Sequence, residues 1–477
     1  MAGKAPGKKK LNYADVKNLR DFNRFIKGKS VSIIGLGVSN KILPAFLREH
    51  GAGEITVRDK KEDIGIPLGG GVRTVCGEGY LEGLDEEVIF KTPGLRGDLP
   101  ELTGARERGA ALTCEMELFL KLCPARVTAV TGSEGKTTTT TLISRILAAA
   151  GRKVWLGGNI GTPLLPYIKE IKEGDEVCVE LSSFQLTDLA EAPAPNCAVV
   201  TNVTPNHLDW HTDMAEYIAA KRNIFKNQSA ADRLALSYDN EVTRSFGEGA
   251  AGEVWYFSKG RIDKKYDNAV FSEGGNIILR TGGKETKVMP VSDILIPGGH
   301  NALNYMAASA AVWGRADAEA ISRTARSFGG VEHRNELVRE LDGVKYYNSS
   351  MDSSPSRTCA FIDSFPSDTR LVIILGGYDK KIPFEPLAAP VLARARAAVL
   401  CGATAGKIRE ALTTHPSFGS SGVELVEAAD YEEAVASARS LARPGDAVLL
   451  SPACASFDMF INFEERGNTF KRLVGEL

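Results

Sequence analysis

The sequence predicts an α/β fold of three domains, each a largely parallel sheet covered by helices, and three observations carry that prediction. The chain has 477 residues, enough at roughly 150 residues per domain for about three separate cores. Short apolar runs alternate with helical patterns from three starting points, Val31, Val127 and Val344, as parallel-sheet units require. The 48 glycines suit a chain full of tight strand-to-helix turns.

Composition excludes several classes. Lys and Arg total 58 against 60 Asp and Glu, a formal net charge of -2, so no global field favours nucleic acid or an anionic membrane. With 43% hydrophobic and 25% charged residues, large-scale disorder is excluded. No apolar run approaches the ~18 residues of a membrane span, so no membrane insertion is expected. The opening lysines Lys4, Lys8, Lys9 and Lys10 precede a polar stretch, Leu11 to Arg20; without the apolar core of a secretory signal they read as a frayed basic tail. Eight dispersed cysteines without C-x-x-C pairs predict a reducing cytoplasm, with neither a disulfide framework nor a zinc site. No dimerisation motif is visible, and a monomer is expected.

The first domain, residues 1–116, has a strand at Val31–Ile34, a turn Gly35-Leu36-Gly37, and a return strand Glu54–Val57 leading to Arg58-Asp59-Lys60-Lys61. It reads as Rossmann-like. The second, 117–330, has strands at Val127–Thr131, Glu176–Glu180 and Cys197–Thr201, a P-loop ATPase-like arrangement. Its later β-prone segments, Arg233–Ser237, Glu253–Phe257 and Asn276–Arg280, read as an antiparallel addition. The third, 331–477, is again Rossmann-like, with strands at Val344–Asn348, Leu371–Leu375, Ala397–Cys401 and Ala447–Leu450 between alanine-rich helices.

The strand Val127–Thr131 runs into Gly132-Ser133-Glu134-Gly135-Lys136-Thr137-Thr138, and Leu142, Ile146, Leu147 and Ala150 then recur at helical spacing until Gly151. A polyphosphate needs inward backbone N–H groups, a helix N-terminus, a lysine for its outer phosphates and a hydroxyl for magnesium. Lys136 and Thr137 supply the last two. The strict G-x-x-x-x-G-K-[ST] pattern would place glycine where Val130 stands, so the loop departs from it while keeping the chemistry of nucleoside triphosphate binding.

Glu180 ends the strand beside this loop, where a carboxylate can hold Mg²⁺ against phosphate oxygens. The next strand leads to Asn202-Val203-Thr204-Pro205-Asn206-His207-Leu208-Asp209 and brings His207 to the same edge. Asp213 and Glu216 predict a capping box for a helix whose apolar stripe is Met214, Tyr217, Ile218, then Lys221, then Phe225. Lys221 therefore points inward. Two readings are open: a stem laid on the core with the amine snorkelling to solvent, or a desolvated amine able to take up carbon dioxide as a carbamate.

These residues resemble the Mur ligase family, whose members add amino acids to a UDP-linked sugar acid with ATP during cytoplasmic peptidoglycan synthesis. The resemblance spans nearly the whole chain through Thr131–Thr138, Gly158-Asn159-Ile160-Gly161, Glu180–Gln185, Asn202–Asp209, Lys221, His300-Asn301-Ala302-Leu303-Asn304 and His333-Arg334. The segments Leu450–Asp458, Asn462-Phe463-Glu464 and Arg466-Gly467-Asn468 look like the branch that adds D-glutamate to UDP-N-acetylmuramoyl-L-alanine. The resemblance implies an acyl-phosphate mechanism. It assigns ATP contacts to Gly132, Ser133, Glu134, Gly135, Lys136, Thr137, Thr138, Asn159, Asn301, Asn304 and Arg334, and catalysis to Lys136, Glu180, His207 and Lys221. Thr137 and Glu180 would hold one Mg²⁺, while His207 and a carbamylated Lys221 serve a second metal region.

Gly35 and Gly37 after a strand, with Asp59 ending the next, approach the dinucleotide fingerprint, although Asn40 replaces the third glycine. The residues alone allow a nicotinamide site. The resemblance implies instead that this domain holds UDP, with Gly35, Gly37, Ser39, Asp59, Lys61 and Thr92 as candidates; for Lys60 a plain surface lysine is the favoured reading. For the amino acid the candidates are Lys380, Ser456 and Phe463. Ser456 precedes a helical pattern at Phe457, Phe460, Ile461 and Glu464, so it reads as an N-cap or as the receiver of a carboxylate. Two departures stand out: Ser349–Pro355 lacks the branch's usual Asp-Ser-Lys-Ala-Thr-Asn, and Glu134 replaces an Asn. Competing readings are a related ligase or folylpolyglutamate synthase with another acceptor, a dehydrogenase using the first domain, and a UDP-sugar sensor without chemistry.

Overall fold

The computed structural model describes residues 11–65, 68 and 70–477; the basic tail expected at the N-terminus lies outside them. The chain forms two compact units, one built from residues up to Met289 together with Asn304–Ile321, the other from Pro290–Leu303 and Ser322–Leu477. The first unit contains two sheets and the second contains one. The boundary expected at residue 116 falls inside the helix Glu115–Leu122.

The first sheet contains β1 (Val31–Ile34), β2 (Ile55–Asp59), β3 (Val72–Cys76), β4 (Val88–Lys91) and β5 (Ala111–Thr113), in the order β3-β2-β1-β4-β5. All its pairings are parallel. Strand order reverses at β1, so a crevice opens at the carboxyl end of β1, as in doubly wound sheets. Every residue of β1 and β4 is buried, including Ser32 and Lys91, so neither strand alternates between apolar and exposed polar positions.

The second sheet comprises β6 (Arg126–Thr131), β7 (Val154–Gly158), β8 (Glu176–Glu180), β9 (Cys197–Val200), β10 (Arg233–Ser237), β11 (Glu253–Ser258), β12 (Ala269–Glu273), β13 (Asn276–Thr281) and β14 (Lys284–Pro290). Its order is β14-β13-β12-β11-β10-β9-β6-β8-β7. The expected antiparallel addition is corrected for two of its three segments, while Asn276–Arg280, within β13, pairs antiparallel. Both β10 and β11 run parallel to their neighbours, and the first antiparallel pair is β12 with β13. The connections explain this: β10 reaches β11 through the helix Glu241–Ser245, long enough for a crossover. By contrast, β12 and β13 are joined by Gly274-Gly275, both at positive φ, the two-residue turn that only a hairpin uses.

In the second unit β15 (Glu336–Leu341), β16 (Val344–Asn348), β17 (Leu371–Leu375), β18 (Ala395–Cys401), β19 (Glu424–Ala428) and β20 (Ala447–Leu450) follow the order β15-β16-β20-β17-β18-β19. Only β15 pairs antiparallel. The fully buried β17 and β20 form its centre. All eight cysteines are free, and among the described residues no helix is long and apolar enough to cross a membrane.

Candidate functional site

The loop Gly132–Gly135 is fixed by the strand ends around it. Gly132 has φ 152° and Gly135 φ 76°; a Cβ on Gly132 would overlap Thr201 Oγ1, and one on Gly135 would lie 2.5 Å from Asn304 Oδ1. The loop after β9 carries the rest: Ser133 N–H donates to Asn202 O at 2.9 Å and Glu134 N–H to Asn202 Oδ1 at 3.0 Å. Glu134, the unusual residue here, is exposed, which keeps its charge in solvent. The helix Lys136–Ala149 starts directly from Gly135, so its unpaired N–H groups face the loop. Lys136 Nζ donates to Gly132 O at 3.0 Å and Ser133 O at 2.9 Å, and Thr138 follows half-buried in the first helical turn.

Glu180, buried at the end of β8, accepts from Thr137 Oγ1 at 2.7 Å and from Asn159 Nδ2 at 2.9 Å. Three candidates from three chain segments thus share one carboxylate. Among the described residues no group of three or more His, Cys, Asp or Glu could hold a metal ion. A cation here would take one carboxylate and one hydroxyl from protein and the remainder from phosphate and water, the manner in which Mg²⁺ is bound in phosphoryl-transfer sites. The donor set fits that ion.

Lys221 is 1% exposed, so the snorkelling alternative is excluded. Its Nζ donates to Gly132 O at 2.9 Å and sits 4.5 Å from the centre of the Tyr217 ring. Burial, reinforced by the Lys136 cation and opposed by Glu180, lowers its pKa to about 7. The amine is therefore partly neutral at physiological pH. The capping box is half formed: Asp213 accepts Glu216 N–H, whereas the Glu216 carboxylate turns to Thr212 N–H and Arg96.

His207, in the left-handed region at φ 55°, lies exposed on the loop after β9 with its ring 4.9 Å from that of Phe184. Arg96 Nη1 donates to Trp210 O at 3.2 Å, and the Trp210 indole donates to Gly94 O at 3.0 Å, so the segment after β4 braces the His207 loop. Sequence reasoning missed this brace, and also Tyr217, whose hydroxyl meets Ser133 Oγ at 2.9 Å. The inward stripe containing Tyr217 was the available signal.

In the first sheet Gly35, Gly37, Asp59 and Thr92 gather at the carboxyl ends of β1, β2 and β4, and Ser39 precedes the short 3-10 helix Asn40–Ile42. Gly35 has φ 77°, and a Cβ there would lie 2.8 Å from Thr92 Cγ2. Asp59 accepts Leu36 N–H and Lys61 N–H, both at 3.0 Å, so it shapes the glycine turn. Lys61 is exposed. Asn40, in place of the third glycine, is buried and donates to Ile34 O and Gly35 O, closing the turn with its side chain.

Asn304 belongs to the first unit, where it accepts from Thr139 Oγ1 at 3.3 Å. The remaining candidates belong to the second unit. Asn301 is buried and donates to Pro297 O, while Arg334 follows His333, a buried residue at φ 60°. Lys380 Nζ donates to Ser353 Oγ at 3.1 Å, within the segment that departs from the expected pattern. Phe463 O accepts from Ser350 Oγ at 2.7 Å. Ser456 is buried, but the helix predicted immediately after it is corrected: residues 456–462 form turns, and the helix begins at Phe463 with Asn462 as its N-cap. Asn462 Oδ1 accepts Glu465 N–H at 2.8 Å, which starts the helix later than the apolar spacing suggests.

This equipment is that of an enzyme handling a nucleoside triphosphate, and comparison with known proteins gives its class. Residues 130–312 match the Mur ligase middle domain and residues 333–454 the Mur ligase glutamate ligase domain; the chain belongs to the Mur ligase family. Two similar relatives carry the name UDP-N-acetylmuramoylalanine–D-glutamate ligase. That of Acetivibrio thermocellus is 47% identical over 468 residues, covering 96% of this chain and 99% of its own. That of Ruminiclostridium cellulolyticum is 47% identical over 472 residues, with the same shares. Among solved structures, UDP-N-acetylmuramate-alanine ligase from Thermotoga maritima superimposes with a TM-score of 0.54 at 17% identity, covering 94% of this chain and 99% of that one. At that identity the likeness shows the fold alone.

Proposed function

We propose that this protein is an ATP-dependent ligase that joins D-glutamate to UDP-N-acetylmuramoyl-L-alanine in peptidoglycan precursor synthesis, acting as a cytoplasmic monomer of three domains, 1–116, 117–330 and 331–477. The observation that carries the reading is 47% identity across 96% of the chain to a relative of that name, together with the Lys136, Thr137 and Glu180 cluster. A carboxylate is a poor acyl electrophile at neutral pH, so its oxygen first attacks the γ-phosphorus of ATP and ADP departs. The amine of D-glutamate then attacks the acyl carbon; phosphate leaves and the amine proton is lost.

Within this reading Gly132–Thr138 cradle the ATP phosphates, with Lys136 neutralising the transferred phosphoryl, and Asn159, Asn301, Asn304 and Arg334 complete the nucleotide contacts. Thr137 and Glu180 hold Mg²⁺, which supplies charge neutralisation at the phosphates. The buried, partly neutral amine of Lys221 takes up CO₂ as a carbamate and, with His207, serves the sugar-acid end. Gly35, Gly37, Ser39, Asp59, Lys61 and Thr92 receive UDP, and Lys380, Ser456 and Phe463 receive the amino acid. The test is phosphate release from ATP with UDP-N-acetylmuramoyl-L-alanine and Mg²⁺, comparing D-glutamate with L-glutamate, D-aspartate, L-lysine and no amino acid. Strict dependence on D-glutamate is expected; release with another amino acid moves the specificity, and none with any overturns the reading.

A further inference from the structure

The turn Thr92-Pro93-Gly94-Leu95 follows β4 at the crevice of the first sheet. Thr92 N–H donates to Ile34 O at 2.9 Å, and Leu95 N–H closes the turn on Thr92 O at 3.1 Å. The residue on each side of the turn is a cation that reaches to a helix of the second sheet. Lys91, which precedes it, is buried and donates from Nζ to Leu95 O at 2.7 Å and to Asp188 Oδ2 at 2.6 Å; Asp188 ends the helix Ser183–Asp188, which follows Glu180. Arg96, which follows the turn, spreads its guanidinium over three groups: Nη2 donates to Glu216 Oε1 at 3.0 Å, Nη1 to Trp210 O at 3.2 Å, and Nε to Asp98 Oδ1 at 3.0 Å.

The partners of Arg96 belong to the two segments that carry His207 and Lys221. Glu216 lies in the first turn of the helix Met214–Arg222, which contains Lys221, and accepts Thr212 N–H at 2.6 Å. Trp210 closes the loop of His207: its N–H donates to His207 O at 3.1 Å, its indole donates to Gly94 O at 3.0 Å, and the Arg96 guanidinium lies 5.2 Å from its ring centre. His207 stands at φ 55°, a conformation that a residue other than glycine keeps where its surroundings over-determine it. Arg96 is only half-buried and Asp98 is exposed, so ion pairs of this kind add little to the stability of the fold. What they fix is the placement of turn, loop and helix relative to one another.

We infer that Arg96 and Trp210 are positioning residues for the ligase reaction: they hold the Thr92–Leu95 turn against the His207 loop and the Lys221 helix, and so fix the reach from the UDP end of the sugar acid to the γ-phosphate of ATP. A substrate held by its UDP at the first sheet must bring its carboxyl to the phosphate loop of the second, and reacting atoms set 1 Å out of place can lose about 100-fold in rate. The inference rests on the reading of the first-sheet crevice as the UDP site and goes beyond it in naming what registers that site with the phosphate loop. Neither residue needs to touch a ligand for this, since both act through Gly94 and the His207 loop.

The experiment compares the full-length wild type with Arg96→Gln, Trp210→Phe and the double variant. Trp210→Phe keeps an aromatic ring and removes the N–H that reaches Gly94 O, while Arg96→Gln removes the fork. Affinities for Mg·ATP and for UDP-N-acetylmuramoyl-L-alanine are measured separately by calorimetry, and the rate of ADP formation is measured in a single turnover with both saturating. Arg96→Gln is expected to lower that saturated rate at least about tenfold and to leave both affinities unchanged. Trp210→Phe should act in the same direction, and the double variant should lose less than the product of the two single losses, since both residues serve one contact. A wild-type saturated rate in both folded single variants, which a purely structural role would give, overturns the inference; so does a rate loss matched by an equal loss of Mg·ATP affinity. Gly35→Ala, whose methyl group would lie 2.8 Å from Thr92 Cγ2, tests the UDP assignment by itself and is expected to weaken the sugar nucleotide but not Mg·ATP. Unchanged sugar-nucleotide affinity in Gly35→Ala overturns that assignment and the inference with it, whereas weakened affinity there with full rates in Arg96→Gln and Trp210→Phe overturns the inference alone.

Discussion

Thr137 Oγ1 donates to Glu180 Oε2 across 2.7 Å, which joins the first turn of the phosphate-loop helix to the end of β8. The other carboxylate oxygen is occupied by Asn159 Nδ2 at 2.9 Å, so Asn159 fixes the rotation of the carboxylate that offers Oε2 to a cation. Partners of this kind orient a metal ligand without touching the metal. Asn159→Ala is therefore expected to weaken Mg²⁺ about 10–100-fold, read as the Mg²⁺ concentration giving half-maximal ATP turnover. A half-saturation point matching wild type would show that Asn159 does not orient the carboxylate.

Gly132 is the tightest point of the loop. Its φ of 152° disfavours any L side chain, and a Cβ would overlap Thr201 Oγ1, which itself donates to Glu134 O. Gly132→Ala must displace Thr201 or the loop, at a cost of about 1–3 kcal/mol. Because Gly132 O also receives Lys136 and Lys221, the shift reaches both amines. Thermal melts with and without Mg·ATP should show a lower melting temperature and a lost or reduced nucleotide-induced rise. An undiminished rise would mean that the loop tolerates the methyl group without moving.

The parts of this arrangement legible in the sequence were those announced by local pattern. The phosphate loop follows an apolar strand and precedes a periodic helix, and Lys221 interrupts an apolar stripe, so both could be placed without coordinates. Asn159 could not be placed from residues alone, because β7 offers only Val154-Trp155-Leu156 before Gly157-Gly158, too short an apolar run to mark a strand. The direction of β10 and β11 is not legible from β-propensity, which says nothing about whether a connection crosses over or turns back; only the Gly-Gly turns carry that information. Ser456 was set before a helix because Phe457, Phe460 and Ile461 repeat at helical spacing, yet the Asn462 cap delays the helix and leaves Phe457 and Ile461 exposed. Arg466 was visible only as part of a motif, since its burial against Ser350, Cys454 and Ala455 depends on contacts that no local pattern reports.

Glu115 opens the helix that connects the first two sheets, and it is 3% exposed. Its Oε1 has no hydrogen-bond partner among the described residues, and burial raises its pKa from 4.5 to about 8, with the Leu165 N–H opposing. Below pH 4.5 the carboxyl is protonated in both folded and unfolded chains. Between there and pH 8 the unfolded chain ionises while the folded one holds its proton, so the stability present at low pH is lost as pH rises. Glu115→Gln removes this dependence. Its unfolding free energy should gain on wild type by up to about 1.4 kcal/mol per pH unit from pH 5 to 8, measured by urea denaturation, and a constant difference across that range would exclude the effect.

Lys221 has the opposite sign. Its folded pKa of about 7 lies below the ordinary 10.5, so between those values the unfolded chain holds a proton that the folded chain lacks, and stability rises with pH across that window. Lys221→Met, in CO₂-depleted buffer, should therefore be most stabilising relative to wild type near pH 7 and progressively less so towards pH 10. Activity should respond differently. The carbamate requires the neutral amine, so ATP turnover by the wild type should fall below about pH 7 and should depend on dissolved CO₂. Lys221→Ala, without the amine, should be inactive and should not be restored by bicarbonate. Full activity in Lys221→Ala would remove the carbamate from the mechanism, leaving the pH dependence of stability as the only consequence of burying this amine beside Tyr217 and Gly132 O.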